Sequence, residues 1–163
     1  MTTMTVERLK QALRYDPETG AFLWIVPPKN HPRLANQSAG GVGANYVMIK
    51  IDNRRYKAHR LAWLYVHGAW PTGDIDHING CPLDNRISNL RIATNPQNQA
   101  NRRRNAGKET PKGVRVLPSN RFQARITVNK QLKNIGTFPT AELAAKAYLA
   151  AAQSHYGNFA RAS

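Results

Sequence analysis

The sequence predicts an α+β protein in two parts. The first, residues 1–104, contains a strand–loop–strand–helix segment. The second, residues 112–163, is a small three-stranded antiparallel sheet packed on one helix. Three observations carry this prediction. Two short apolar runs around 75–78 and 90–93 flank a Gly/Pro/Asn-rich loop and precede a helix signal. Period-two alternation in RFQARITV (121–128) marks a half-buried strand between two others. An alanine-rich stretch after Pro139-Thr140 then has helical spacing.

The elements follow in order. Thr5 caps a short helix over 5–15, with Val6, Leu9 and Leu13 at helical spacing. Asp16-Pro17-Glu18-Thr19-Gly20 is a turn into the strand AFLWI (21–25), and 26–44 reads as loop. YVMIKI (46–51) and RRYKA (54–58) form a hairpin about Asp52-Asn53, and HRLAWLYVH (59–67) is a helix stopped by Gly68. After the two short central strands, Asn95 caps a helix with Pro96 in its first turn, running to about Arg104. Residues 105–111 read as a linker. KGVRVL (112–117), RFQARITV and QLKNIGTF (131–138) are the three strands, and the last helix runs to about His155. Ala144, Ala147, Tyr148 and Ala151 form its apolar face.

Composition narrows the function. The 163 residues carry 24 Lys+Arg against 9 Asp+Glu, a net charge of +15. Half of the basic residues lie in 100–163, which holds only Glu109 and Glu142 as acids. Such an excess implies a polyanionic partner: nucleic acid first, an anionic membrane surface as the weaker alternative. No apolar run approaches the ~18 residues of a membrane span. The start, MTTMTVERLK, reads as neither a signal nor a transit peptide. The single cysteine, Cys81, excludes an intramolecular disulfide and a multi-cysteine structural zinc site. An intracellular, cytoplasmic setting is expected, with no membrane and no obligatory protein partner.

The chemistry-bearing segment is DIDHINGCPLDNRISNLRIATNPQNQANRR, which begins at Asp74. It offers a carboxylate beside an imidazole (Asp76, His77), then Asn89 and Asn98. Packing of the helix's first turn on the first strand would set Asn98 opposite Asp76. One carboxylate and one amide oxygen suit a hard divalent cation, magnesium or manganese. Strand alternation sends Asp76 and His77 to opposite sides, so one can hold metal while the other addresses a water.

D-H-I-N-G, N-R-I-S-N-L-R and A-T-x-x-x-N-x-x-N together resemble the HNH endonuclease motif, in the homing-type and phage-encoded branch. There the last His of the name is often Asn. HRLAW and YDPETGAFLW also resemble leader segments of that branch, so the likeness spans about 5–105 with the core at about 59–104. The resemblance implies a ββα-metal core and, if phage-encoded, action in the host cytoplasm. It implies His77 as general base, Asp76 and Asn98 as ligands of one Mg2+ or Mn2+, and Asn89 orienting the His-bearing loop. Asn101 and Arg102, one turn further on, would reach the phosphate. The implied products carry a 5′-phosphate and a 3′-hydroxyl.

In the C-terminal part, alternation puts Arg121, Gln123, Arg125 and Thr127 on one face of the middle strand, and Phe122, Ala124, Ile126 and Val128 on the other. The alanine-rich helix covers the apolar face. The cationic face, joined by Arg115, is left to enter a groove of double-stranded DNA, with Lys133 as a further contact. KGVRVLPSNRFQARITV…IGTFPTAELAAKAYLAAA resembles the Apetala/ethylene-response-factor DNA-binding domain, although the exposed strand tryptophans of that family are missing. Two rival readings stand beside the nuclease: a non-cleaving, sequence-specific DNA-binding protein, and an RNA-binding basic protein.

Overall fold

The computed structural model describes residues 4–102, 107 and 109–161. It divides into two compact units, 1–92 and 93–163.

In the first unit, helix α1 (Val6–Ala12) is capped by the Thr5 hydroxyl, which accepts from the Arg8 amide at 3.2 Å. The chain leaves it without a loop. Leu13–Tyr15 is extended as strand β1, paired antiparallel with β2 (Phe22–Trp24), so the expected helix over 5–15 is three residues shorter at its C-terminal end. Leu13 and Tyr15 are buried while Arg14 points out, and that alternation wins over helix continuation. Residues 26–44, expected as loop, carry a 3-10 turn at Pro32–Leu34 and a two-residue strand β3 (Gly41–Val42). They are stitched along β2 by Ala39 N–H to Phe22 O (2.7 Å) and Trp24 N–H to Gln37 O (3.0 Å).

Strands β4 (Val47–Ile51) and β5 (Arg54–Lys57) form the expected hairpin. Asp52 and Asn53 have φ of 47° and 62°, the left-handed pair that a two-residue turn needs. β3 joins β4 on its other edge. Helix α2 (Ala58–His67) follows and ends at Gly68, whose φ is 74°. Leu9, Leu13, Phe22, Ile49 and Leu61 are the largest fully buried side chains of one apolar core built from α1, the strands and α2. Strands β6 (Asp74–His77) and β7 (Leu90–Ala93) make a two-stranded sheet beside it.

In the second unit, helix α3 spans Asn95–Asn101. Its N-cap is Thr94, not Asn95 as the sequence suggested. Thr94 closes a capping box with Gln97, whose side chain accepts from the Thr94 amide at 2.8 Å. The box satisfies two end groups at once and moves the boundary by one residue. The helix stops before the expected Arg104: Arg102 is already extended as C-cap. Residues 103–104, and 105, 106 and 108 of the expected linker, lie outside the described residues. Lys112 reaches back to that end, its ammonium donating to the carbonyls of Gln99 (3.2 Å), Ala100 and Arg102 (2.8 Å). Burial, aided by the nearby Arg161 and Arg102 charges, brings this ammonium down to about 8. The sequence expects α3 to end the first part, whereas the compact units divide before it.

β8 (Val114–Val116), β9 (Phe122–Val128) and β10 (Gln131–Phe138) form an antiparallel sheet with β9 central. Asn129 and Lys130 turn the β9–β10 hairpin with φ of 51° and 64°. Helix α4 (Ala141–Tyr156), capped by Thr140, covers the Ala124/Ile126/Val128 face. Its buried positions are Ala144, Tyr148 and Ala152, so Ala152 takes the inward place expected of Ala151. Gly113 has φ 75°, and a Cβ there would run into the Tyr148 ring; only glycine fits that approach.

Candidate active site

β6 places Asp76 and His77 on successive positions, and both are buried, at 6% and 7% exposure. The loop between β6 and β7 is held by side chains rather than by regular structure. Asn89, at the foot of β7, accepts from the Asn79 amide at 2.9 Å. Its own amide group donates to Asn79 Oδ1 at 3.1 Å and to the Asp84 carbonyl at 2.8 Å. Asp84 receives both Nε (2.8 Å) and Nη2 (2.6 Å) of Arg86, and Asn79 Nδ2 at 2.7 Å. The Arg86 hydrogen bond brings the Asp84 carboxyl down to about 2. An irregular loop therefore acquires one conformation, with the imidazole at its start.

Three other side chains stand close around His77. Asn85, 3% exposed, presents Oδ1 at 3.4 Å from His77 Nε2. His59 from α2 meets the His77 ring edge to face, with centroids 5.0 Å apart and planes at 86°. Tyr46 lies stacked on His77 at 6.3 Å and meets His59 edge to face at 5.0 Å. Burial lowers the His77 pKa against the opposing pull of Asn85, Asp76 and Asp84. Burial also drives His59 down, to about 3, helped by His77 and by the charges of Lys57 and Arg60. Both imidazoles are thus neutral at neutral pH, the form in which a ring nitrogen can accept a proton.

Asp76 Oδ2 accepts from Arg91 Nε at 2.8 Å, in a pair 8% and 18% exposed. A carboxylate has about four lone-pair positions, so the arginine does not use up its capacity to ligate. Among the described residues no three His, Cys, Asp or Glu side chains gather as a metal cluster. The donor set on offer is one carboxylate and amide oxygens, which suits a hard cation that keeps phosphate and water ligands of its own.

Of the residues expected to act together, the first unit brings together Asp76, His77 and Asn89. Asn98 is half-buried in the middle of α3, Asn101 is buried at its end and Arg102 is the exposed C-cap, all in the second unit. On the C-terminal sheet, register sets Arg115 opposite Gln123 and Arg125 opposite Asn134, so these side chains share the face away from α4. Arg121, exposed just before β9, donates to the Thr137 carbonyl at 3.3 Å. Lys133 pairs with Ile126 instead, a residue of the α4 face, in the register that continues from the Asn129–Lys130 turn.

Sequence reasoning missed Asn85, Tyr46 and a second basic surface, and left the role of His59 open. Register puts Met48 opposite Lys57 and Lys50 opposite Arg55, so three exposed cations share one face of β4–β5. Lys57 stands 4.6 Å over the Tyr46 ring, next to His77. A signal existed for this surface: KIDNRRYK alternates cations across a recognised hairpin.

Comparison with known proteins agrees in class. Residues 56–100, which span β5 to α3, match the HNH endonuclease family. The chain is also similar to an uncharacterized HNH endonuclease of Acanthamoeba polyphaga mimivirus, with 33% identity over 121 residues. That alignment covers 73% of this chain, and the chain spans 63% of the relative's length. No solved structure matches.

Proposed function

We propose that the chain is a metal-dependent DNA endonuclease, with His77 as general base and the C-terminal sheet directing it to its target. The observation that carries this is the buried Asp76–His77 pair on β6, fixed by the Asn89-fastened loop, within the segment similar to HNH endonucleases. His77 accepts a proton from the water that attacks the scissile phosphorus. Its depressed pKa keeps it competent near neutral pH. Asp76 and Asn98 would hold a magnesium-class ion, which supplies charge stabilisation for the phosphate and the departing oxygen when bound. Arg102 and Asn101 contribute phosphate contacts from α3. The products carry a 5′-phosphate and a 3′-hydroxyl.

Two basic faces support a duplex DNA substrate: Lys50/Arg55/Lys57 beside the site, and Arg115/Arg121/Gln123/Arg125 on the C-terminal sheet, with Lys133 at its edge. Cations of this kind neutralise phosphates and set register, while arginine and glutamine on strands read base edges. Among the described residues no helix is long and apolar enough to cross a membrane. A cytoplasmic place of action, in the host cell if the gene is viral, fits this reading.

The test is plasmid cleavage with magnesium, manganese or chelator, beside His77→Ala at equal DNA occupancy. Metal-dependent cutting should fall by about 10²–10⁴-fold in the variant, the range of general-base contributions. Wild-type protein that binds duplex DNA and never cuts it, on target-rich random sequence as well, would replace this reading with that of a non-cleaving binding protein.

A further inference from the structure

We propose that Asn85 is the positioning residue for His77, and that the β1–β2 hairpin acts on the site through it. This rests on the reading of His77 as the general base. An imidazole that takes a proton from water must present a nitrogen lone pair, and its other nitrogen must carry the hydrogen. Asn85 Nδ2 donates to the Leu83 carbonyl at 3.3 Å, which turns the carboxamide oxygen toward His77 Nε2. An amide oxygen only accepts, so Nε2 holds the hydrogen and the lone pair falls on Nδ1. At 3.4 Å the contact is a long one, and catalytic hydrogen bonds of this kind tighten when substrate binds.

Asn85 is itself locked in place from the far side of the unit. Its carbonyl accepts the Tyr15 hydroxyl at 2.7 Å, and burial holds that phenol protonated, its pKa pushed up to about 12. Gly20, with φ 72°, closes the β1–β2 turn directly against the same backbone. A Cβ there would lie 2.5 Å from the Asn85 carbonyl carbon and 3.0 Å from its Cα. The turn is held in that shape by Asp16, whose carboxylate accepts from the Glu18 amide (3.0 Å) and the Thr19 hydroxyl (2.7 Å). Asn89 fixes the preceding residue through the Asp84 carbonyl. The D-P-E-T-G turn thus has a task at the catalytic loop, 65 residues away in sequence from Gly20 to Asn85.

The experiment is long-range 1H–15N correlation spectroscopy of the full chain at a pH where His77 is neutral, with its signals assigned by loss in His77→Ala. Wild type should show the Nε2–H tautomer. Asn85→Leu, which keeps the bulk and removes the acceptor, should give mixed tautomers. In single-turnover cleavage, Asn85→Leu should lose roughly 10–100-fold in rate with DNA affinity unchanged, as removal of an orienting partner does. Asn85→Asp, which restores an acceptor, should recover most of that rate. Tyr15→Phe, milder for folding, should lose several-fold in rate with the same affinity. Asn85→Leu with an unshifted tautomer and wild-type rate overturns the proposal; so does a rate loss that Asn85→Asp does not recover. A tautomer shift in a protein that never cuts DNA would overturn the general-base reading and leave the Asn85–His77 coupling standing.

Discussion

The two units use polar side chains in opposite ways. Around β6 and β7 they are buried and bonded to one another. The Asn89 side chain makes three hydrogen bonds, the Asp84 carboxylate accepts from Arg86 and Asn79, and Asp76, His77, Asn85 and Asn89 are all under 8% exposed. On the C-terminal sheet the polar residues stand on an open face, and the apolar layer of Ala124, Ile126, Ala144 and Tyr148 does the folding. A site that must hold a proton acceptor within a fraction of an ångström needs the first arrangement. A surface that grips a phosphate backbone needs only charge and reach, and the second arrangement supplies it without desolvating the cations. Mutations around β6 and β7 should therefore act on structure and chemistry together, and those on the open face of the C-terminal sheet on affinity alone.

The largest effect is expected from Asn89→Ala. It removes three hydrogen bonds at about 1–1.5 kcal/mol each, so chemical denaturation should show a loss of about 4 kcal/mol. Cleavage should fall with it even where the protein remains folded, because the loop that carries His77 loses its fastening. An Asn89→Ala protein of wild-type stability would break the contrast between the units.

Next is acid sensitivity. His59 is only 5% exposed, and its Nδ1 has no hydrogen-bond partner among the described residues. Its pKa is about 3 when folded and 6.5 in the ordinary range, so the unfolded chain takes up the proton first as pH falls. The stability associated with the neutral ring is therefore complete above pH 6.5 and is lost between 6.5 and 3. From pH 7 to pH 4 the loss should be about 3 kcal/mol, measurable by urea melts. His59→Phe keeps a ring of similar shape and has nothing to protonate. It should flatten that pH dependence and be at least as stable at pH 7, having no unsatisfied nitrogen to bury. Equal acid sensitivity in the two proteins would show that His59 is not the group responsible.

On the C-terminal face the expected change is in binding. Arg121→Ala with Arg125→Ala should leave the melting temperature of the protein close to wild type. It should lower the slope of log affinity against log salt for duplex DNA by about 2, one for each phosphate no longer neutralised. A large loss of fold stability in this double variant would mean that the sheet's cations are structural after all.

The legible parts of the sequence were those with a period. Alternation gave the faces of β9 and the hairpin β4–β5, and Gly68 and Thr140 marked the ends of α2 and α4. The Asp76–His77 pair and Asn89 were visible because they stand in a spaced motif. Asn85 was not, since one asparagine in a turn-rich loop looks like any other until its partner 8 residues back is known. The role of His59 stays open in the sequence for a related reason: its significance lies in the meeting of a helix and a strand, and no periodicity encodes that. The Thr94 cap shows the limit at a boundary, where Thr94 and Asn95 are both good caps and the reciprocal bond to Gln97 decides.

The smallest effect should come from Arg8→Ala. Its guanidinium makes a two-pronged pair with Asp52, at 2.9 and 2.7 Å, between α1 and the β4–β5 turn. The geometry is good, and each partner shifts the other's pKa toward the charged form. Yet the side chains are 39% and 51% exposed, so water and salt screen the attraction and two long side chains must be held still to make it. The measured worth of such a pair is below about 1 kcal/mol. The comparison with Asp76–Arg91, at 8% and 18% exposure, then sharpens the contrast inside one unit. Arg91→Ala leaves a buried carboxylate without that partner and should cost several times more than Arg8→Ala, because the desolvation already incurred is no longer offset. Urea melts of the two variants at low and high salt would separate the cases: the Arg8 difference should fade with salt, and the Arg91 difference should persist.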